Sequence, residues 1–270
     1  TVPAIILRGE IDKIKPEGME KKQDAYVMEK FPAPYTNATT GKIIGRVKLS
    51  ILSDIECKKC NKLDSLANEI KRAGIKVVEQ KIVAAGTPEG KELIQSHSID
   101  FVPVLIMSMD AEAYPIIRQA WPQIGNRAAN GDFVTRVVYP PFVNLTTGKL
   151  NGLVNIIYLT DKSCTECYDV KRHRDIITST QGFGISLDSE VTIDISESRG
   201  KELVSKYNIT QIPSIIMSNE TAVYPSSRLL KQFYSVEKDG SFIFRRNSAF
   251  GTYKDLINNS VIKIEEDQSQ

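Results

Sequence analysis

Cys164-Thr165-Glu166-Cys167 follows the apolar residues 153–159, and the chain holds a second arrangement of this kind. Cys57-Lys58-Lys59-Cys60 follows the apolar residues 46–52, and these four residues are the only cysteines. Each apolar run is typical of a buried β-strand, and each cysteine pair opens a stretch with helical spacing. A Cys-x-x-Cys between a strand and a helix indicates redox chemistry, because the positive end of a helix stabilises a thiolate.

The chain repeats itself over most of its length. Residues 37–42, Asn-Ala-Thr-Thr-Gly-Lys, return as residues 144–149, Asn-Leu-Thr-Thr-Gly-Lys. The cysteine pairs recur at the same offset, but the copies differ by three residues further on. We expect these extra residues between Cys167 and Gly200, near residues 181–184. Repeats of about a hundred residues are domains, since solenoid units are typically ~20–50 residues long.

The repeat predicts the organisation of the chain. We predict a first domain at residues 36–139 with the CKKC motif and a second at residues 140–254 with the CTEC motif. Residues 1–35 are predicted to be an N-terminal tether or arm, which could equally add an edge strand to the first domain. Residues 255–270 are predicted to be a frayed C-terminal tail.

Composition limits the classes of partner. The chain has 270 residues, 41% hydrophobic residues and a formal net charge of +2, so no nucleic-acid partner is implied. No apolar run is long enough to span a bilayer. Because residue 1 is Thr, a lost signal peptide, a membrane tether before it or an expression fragment are all open. Five Asn-x-Ser/Thr sequons occur, at Asn37, Asn144, Asn208, Asn219 and Asn258.

Each copy continues in the same order after its cysteines. In the first copy, apolar spacing predicts a helix at residues 63–70, a strand at residues 75–82 and a short helix at residues 89–96. Val102-Pro103 then enters an apolar strand, and Ile212-Pro213 does so in the second copy. A further helix is predicted near residues 114–121, before the last strand of the domain.

These features resemble the thioredoxin fold, over roughly residues 44–108 and 151–218. Two such units in one chain are similar to archaeal protein disulfide oxidoreductases and eukaryotic disulfide isomerases. The resemblance implies an α/β fold of two tandem thioredoxin-like domains, each with a central mixed sheet flanked by helices. Val102, Pro103, Ile212 and Pro213 match the family's cis-proline loop, which lies against the cysteines and presents backbone to an extended substrate.

The resemblance implies a thiol–disulfide oxidoreductase that acts on protein disulfides and has no cofactor. Its partners would be protein thiols or disulfides and an upstream redox protein, outside the cytoplasm. The sequence departs from the family because neither cysteine motif is a familiar one, and Glu56 and Ser163 stand where a Trp is usual. A helix also replaces the direct hairpin after the proline strand.

Redox exchange needs one exposed thiolate and a second thiol that resolves the mixed disulfide. Cys57 and Cys164 are the predicted attacking residues, and Cys60 and Cys167 are the predicted resolving residues. Lys58 and Lys59 should lower the pKa of Cys57, whereas Glu166 should raise the pKa of Cys164.

Two alternatives remain beside this hypothesis. Each cysteine pair could be a permanent disulfide in a non-catalytic binding or scaffold module. Cys164, Cys167 and His173 could bind a metal, but six helical residues rise by ~9 Å, so we predict no metal site and a packing role for His173. His97 has no evident partner and is predicted to be structural. Trp121, Tyr114 and Tyr224 could line a groove but are better explained as core residues.

Overall fold

A computed structural model describes residues 5–9, 19–28 and 32–264. Its first compact unit ends at Val137 and its second begins at Val138, with Lys59–Asn61 grouped with the second. The sequence-based boundary lies between Tyr139 and Pro140. The predictions for residues 1–4, 10–18, 29–31 and 265–270 fall outside the described residues. In the part of the chain that is described, no helix is long and apolar enough to cross a membrane.

The β-strands are numbered in chain order. They are β1 Ile5–Arg8, β2 Glu20–Lys22, β3 Ala25–Met28, β4 Tyr35–Thr36, β5 Ile43–Ile44, β6 Val47–Ser53, β7 Val77–Ala84, β8 Phe101–Val102, β9 Val104–Met107, β10 Gly125–Arg127, β11 Phe133–Thr135, β12 Phe142–Asn144, β13 Leu150–Asn151, β14 Val154–Thr160, β15 Leu187–Asp194, β16 Gln211–Ile212, β17 Ser214–Met217, β18 Tyr234–Val236, β19 Phe242–Phe244, β20 Tyr253–Asp255 and β21 Ser260–Ile262.

The α-helices are α1 Asp64–Arg72, α2 Pro88–His97, α3 Pro115–Ala120, α4 His173–Thr178, α5 Ser198–Lys206 and α6 Ser227–Leu230. Short 3-10 helices lie at Met109–Ala113, Trp121–Gln123, Val170–Arg172, Asn219–Val223 and Asn247–Ala249.

The first unit is built on a five-stranded sheet in the order β10-β11-β9-β6-β7. The sheet is mixed, because β6 is parallel to β7 and antiparallel to β9. Leu49, Ile51 and Leu52 of β6 are buried. Helix α1 follows the cysteine loop and buries Ala67 and Ile70, as the apolar spacing predicts.

The second unit has the same topology, in the order β15-β14-β17-β19-β18, with β14 parallel to β15. Its core lies on both faces of this sheet. Ile156 and Tyr158 belong to one buried cluster, and Leu159 belongs to another. Alternate residues of one strand point to opposite faces, so β14 is a central strand covered on both sides. The predicted fold class of two thioredoxin-like units is confirmed.

Each unit also has a buried tyrosine whose hydroxyl binds the backbone just before the central strand. The Tyr114 hydroxyl donates a hydrogen bond to the carbonyl of Gly45 at 2.7 Å and accepts one from the amide of Lys76 at 2.9 Å. The Tyr224 hydroxyl makes the same two contacts with Gly152 and Ser186. Both tyrosines and Trp121 are core residues, as their helical context suggests.

The three extra residues of the second copy lie between Ile177 and Gly184, close to the predicted place. They form a tight turn in which the amides of Gly182 and Gly184 donate to the carbonyl of Ser179. A Cβ on Gly182 would lie 2.0 Å from the carbonyl oxygen of Ile176, so this turn requires glycine.

The predicted arm and tail both contain regular structure where they are described. Strands β1, β3 and β2 form a three-stranded antiparallel sheet of their own and add no edge strand to the five-stranded sheet. At the other end, β20 and β21 form a hairpin, so residues 253–262 are not a frayed tail. The Asp255 carboxylate closes this turn by accepting from the amides of Ile257 and Asn258.

Candidate functional site

Sheet register places both cysteine loops beside the proline strands. The C-terminal end of β6 pairs with the start of β9, with Leu52 opposite Val104. In the second unit Leu159 lies opposite Ser214 in the same way. Pro103 and Pro213 immediately precede those partners, and both of their preceding peptide bonds are cis. The end of the central strand, where each cysteine loop begins, therefore faces the proline turn.

All four cysteines are disulfide-bonded. The Cα atoms of Cys164 and Cys167 are 5.4 Å apart. In the first unit Cys60 is 8% exposed, whereas Cys57 is half-buried. Cys57 is thus the more exposed residue of its pair.

The cysteines do not lie at the N-terminus of a helix, contrary to the prediction. Helix α1 begins at Asp64, after Leu63 takes a left-handed conformation with φ 57°. In the second unit a 3-10 turn at Val170–Arg172 comes first, and α4 begins only at His173. The helix dipole acts within its first turn, so it contributes less to a thiolate here than the motif suggests.

The sulfur of Cys167 contacts the residue before the second proline. Cys167 Sγ lies 3.7 Å from the carbonyl oxygen of Ile212. In the dithiol form, a thiol at Cys167 can donate a hydrogen bond to this oxygen. The sulfur of the predicted resolving residue thus lies against the backbone of the second proline loop.

Residues 251–264, which we call the C-terminal hairpin, contact the CTEC loop and the residues on either side of it. Strand β20 runs antiparallel to β16 and pairs Lys254 with Ile212. The carbonyl oxygen of Thr252 accepts a hydrogen bond from the amide of Tyr168, next to Cys167, at 2.9 Å. The strand that leads into Pro213, β16, therefore already has its backbone hydrogen-bonded to β20 of the same chain.

A lysine of the C-terminal hairpin is also tied to the residues before Cys164. Lys254 Nζ lies 2.7 Å from Asp161 Oδ2 and 3.1 Å from Ser163 Oγ, and the ion pair is largely buried. Burial alone would raise the pKa of Asp161, but hydrogen bonds from Lys254 and Ser163 outweigh it and hold that pKa below its usual range. The buried ion pair of Lys254 and Asp161 thus links the hairpin to the residues before the CTEC loop.

The predicted effect of Glu166 on Cys164 needs correction. Glu166 Oε2 lies 2.5 Å from Lys263 Nζ, so a cation of the C-terminal hairpin offsets its charge. This pair is exposed on both sides and is screened by salt. Lys58 and Lys59 are exposed within the CKKC loop. The difference in net charge around the two cysteine pairs is therefore smaller than the residues between the cysteines, Lys58 and Lys59 against Thr165 and Glu166, indicate.

His173 is a core residue and not a ligand. Its ring stacks on Phe250 at 4.0 Å and meets the edge of Phe244 at 4.7 Å, and its Nε2 lies 3.2 Å from the Tyr168 hydroxyl. Burial, together with the charge of Arg172, lowers the pKa of His173 to about 4. Within the described ranges, no group of three or more His, Cys, Asp and Glu side chains could hold a metal ion.

His97 has a partner that the sequence did not reveal. Its Nε2 lies 3.1 Å from Asp132 Oδ2, and its Nδ1 lies 3.1 Å from the carbonyl oxygen of Leu93. The ring is buried at the end of α2. Its role is structural, as predicted, but it is not without a partner.

Comparisons with known proteins give only distant likenesses. No protein-family model matches the chain, and no curated protein matches it. The N-terminal domain of alkylhydroperoxide reductase AhpF from Enterococcus faecalis is 14% identical, with 64% of this chain and 83% of that chain covered, at a TM-score of 0.18. Full-length ERdj5 is 8% identical over 64% of this chain and 25% of that chain, at a TM-score of 0.19. TM-scores this low do not establish a common fold, so the fold is assigned from the sheet topology of this chain.

Sequence reasoning missed the residues of the C-terminal hairpin that contact the CTEC loop. A signal for them exists in the turn chemistry. Asn37 follows β4, whereas Asn144 and Asp255 end β12 and β20. Each of the three side chains accepts hydrogen bonds from the amides two and three residues on. The third copy of this turn is hidden because Asp replaces Asn and the Thr-Thr-Gly-Lys sequence is lost.

Proposed function

We propose that this protein exchanges thiols and disulfides with other proteins through Cys57 and Cys60 and through Cys164 and Cys167. One observation carries the proposal: in both units a closed Cys-x-x-Cys pair begins where the central strand ends, opposite the start of a proline strand. Val102, Pro103, Ile212 and Pro213 are the proposed backbone positions for an extended substrate. The resemblance to disulfide oxidoreductases supports the substrate class.

The proposed step moves two electrons and needs no cofactor. The Cys57 thiolate attacks a sulfur of the client disulfide, forms a mixed disulfide and releases a client thiolate. Cys60 then loses its proton and attacks Cys57 Sγ, so the second client thiolate leaves and the Cys57–Cys60 disulfide closes. The client is reduced and the cysteine pair is oxidised, and the reverse sequence oxidises a client. An upstream thiol protein would regenerate the starting form.

The proposed setting is outside the cytoplasm, where disulfides persist. Lys58 supports the choice of Cys57, since a nearby cation favours its thiolate. The charge of Lys59 is offset by Asp188, whose Oδ1 lies 2.6 Å from Lys59 Nζ. Three of the sequon residues, Asn208, Asn219 and Asn258, are exposed, which such a location would allow to be modified.

A permanent disulfide in a binding module is a second candidate, and one observation favours it. The strand edge before Pro213, where an extended substrate would pair, is taken by β20. An occupied edge cannot accept a client strand by the same backbone hydrogen bonds.

Insulin reduction by the full chain, coupled to a general thiol reductant, tests the proposal. Single Cys→Ser variants at each of the four positions identify which pair turns over. We expect turnover that depends on Cys57, and we expect Cys60→Ser to accumulate a mixed disulfide with the client. Wild-type protein without turnover, with both pairs at potentials below about −300 mV, would establish structural disulfides instead.

A further inference from the structure

Strand β7 lies at the edge of the first unit's five-stranded sheet and exposes apolar side chains. Among the described residues it pairs with β6 alone. Val78 is 47% exposed and Ile82 is 63% exposed, and the residues between them are exposed as well. An edge strand with exposed apolar residues is a template on which a further strand can pair.

The sequence of this edge is complementary to itself in the antiparallel direction. Residues 78–82 read Val-Glu-Gln-Lys-Ile. When two copies of β7 lie antiparallel with Gln80 opposite Gln80, each Val78 lies opposite Ile82 of the other copy. Each Glu79 then lies opposite Lys81 of the other copy. Opposite residues of an antiparallel pair point to the same face, so apolar side chains meet each other and acid meets base.

The two charged residues of this edge already form ion pairs within one chain. Lys48 Nζ on β6 lies 3.0 Å from Glu79 Oε2, and the Lys81 ammonium binds the Glu89 carboxylate. All four side chains remain exposed, which leaves room for a further partner. Pairing of two copies would place Glu79 between Lys48 of its own chain and Lys81 of the other. The charges across the joined strands would therefore alternate in sign.

The equivalent strand of the second unit does not have this pattern. Strand β15 also ends its sheet, but its residues 188–192 read Asp-Ser-Glu-Val-Thr. The same antiparallel pairing of two β15 strands would put Glu190 opposite Glu190, and like charges directly opposite each other are destabilising. Pairing of β7 with β15 would put Ile82 opposite Asp188, whose carboxylate already binds Lys59 at 2.6 Å. The self-complementary edge is thus a property of β7 and not of the fold.

We infer that β7 is the interface of a symmetric dimer of this chain, in which two β7 strands pair antiparallel about Gln80. A two-fold axis brings the same surface of both copies together, which is what a self-complementary strand requires. Backbone hydrogen bonds between the strands would hold the two copies, and the side-chain pairs would select the register. The partner strand would cover Val78 and Ile82 and join the two first-unit sheets into one.

Sedimentation equilibrium of the full chain measures the dimer, and two charge reversals test its register. Glu79→Lys creates Lys–Lys pairs across the axis, and Lys81→Glu creates Glu–Glu pairs. Each variant alone should dimerise about tenfold more weakly than wild type, because both symmetric pairs become repulsive. An equimolar mixture of the two variants should recover wild-type affinity as a heterodimer, since every pair across the axis is then Lys with Glu.

Thr192→Lys is the matched control for Ile82→Lys, because the two residues hold equivalent register positions on β15 and β7. Ile82→Lys should abolish the dimer and Thr192→Lys should leave it unchanged, with both variants folded by circular dichroism. In wild type, amide hydrogen exchange of residues 78–82 should slow as the protein concentration rises. A wild-type chain that stays monomeric up to its solubility limit would overturn the inference. So would a mixture that fails to recover the dimer, or an equal loss in Thr192→Lys.

Discussion

The two cysteine loops lie at equivalent positions in the fold, but different side chains contact the residues around them. In the second unit, Asp194 at the end of β15 is buried and accepts hydrogen bonds from the amides of Lys162 and Ser196. Burial would raise the pKa of Asp194, but these hydrogen bonds and that of the Ser196 hydroxyl outweigh it and lower the pKa. The first unit has Ala84 at the equivalent register position.

The same contrast extends to the C-terminal hairpin. Lys254, Thr252 and Lys263 fix the residues on both sides of Cys164 and Cys167. The first pair is distinguished by a buried resolving cysteine and by two lysines between its sulfurs. The two cysteine pairs thus lie at equivalent places in the fold but have different flanking residues.

The largest expected effect concerns the division of activity between the pairs. Cys57→Ser should reduce insulin turnover by more than about a hundredfold, since it removes the attacking sulfur. Cys164→Ser should reduce turnover only a few-fold, because Lys254, Thr252 and Lys263 hold the residues around that cysteine pair. Equal losses in the two variants, measured at matched protein and reductant concentrations, would break the comparison.

A second prediction addresses the buried ion pair between the hairpin and the CTEC loop. Lys254→Met should leave the Asp161 carboxylate without its cation and lower the free energy of unfolding by about 3 kcal/mol. The reduction of the Cys164–Cys167 disulfide by dithiothreitol should become faster. Urea unfolding and timed thiol trapping measure the two effects.

Lys263→Met is the control for that experiment. It removes an exposed ion pair from the same hairpin and should change the free energy of unfolding by less than about 1 kcal/mol. Similar losses in both variants would show that the hairpin is held by packing and not by the Lys254–Asp161 pair.

A third prediction follows from His173. Its pKa is about 4 when folded, against about 6.5 in an unfolded chain, so the unfolded state binds more protons between these values. Its contribution to stability is fully present above about pH 6.5 and is lost as the pH falls towards 4. Between pH 7 and pH 5 the loss should be about 2 kcal/mol.

Urea unfolding of wild type and His173→Gln at several pH values isolates this contribution. The variant should be destabilised at pH 7 but should lose less stability on acidification. If the two pH profiles run parallel, the ring is not held neutral by its aromatic surroundings.

The smallest expected effect is the difference between the attacking thiols. Cys57 should have the lower pKa, by only a few tenths, because Lys263 offsets Glu166 and exposed charges are screened. Lys263→Ala should widen the difference by restoring the effect of Glu166. Thiol titration in variants that keep one cysteine pair measures both, and an unchanged gap in Lys263→Ala would refute the offset.

Much of this protein follows from sequence alone. The Cys-x-x-Cys spacing, the apolar runs before it and the Val-Pro and Ile-Pro steps predicted two thioredoxin-like units and the residues of each cysteine loop. These signals are local, because a strand or a turn is specified within a few consecutive residues. The core positions of Tyr114, Tyr224 and Trp121 follow from the usual burial of aromatic residues on short helices.

Tertiary structure decided what surrounds those residues. Lys254 meets Asp161, and Lys263 meets Glu166, across about a hundred residues of chain, and periodicity carries no information on such pairs. Helices α1 and α4 begin several residues after the cysteines. Where they begin depends on the backbone conformation of single residues, such as Leu63, and apolar spacing does not determine it.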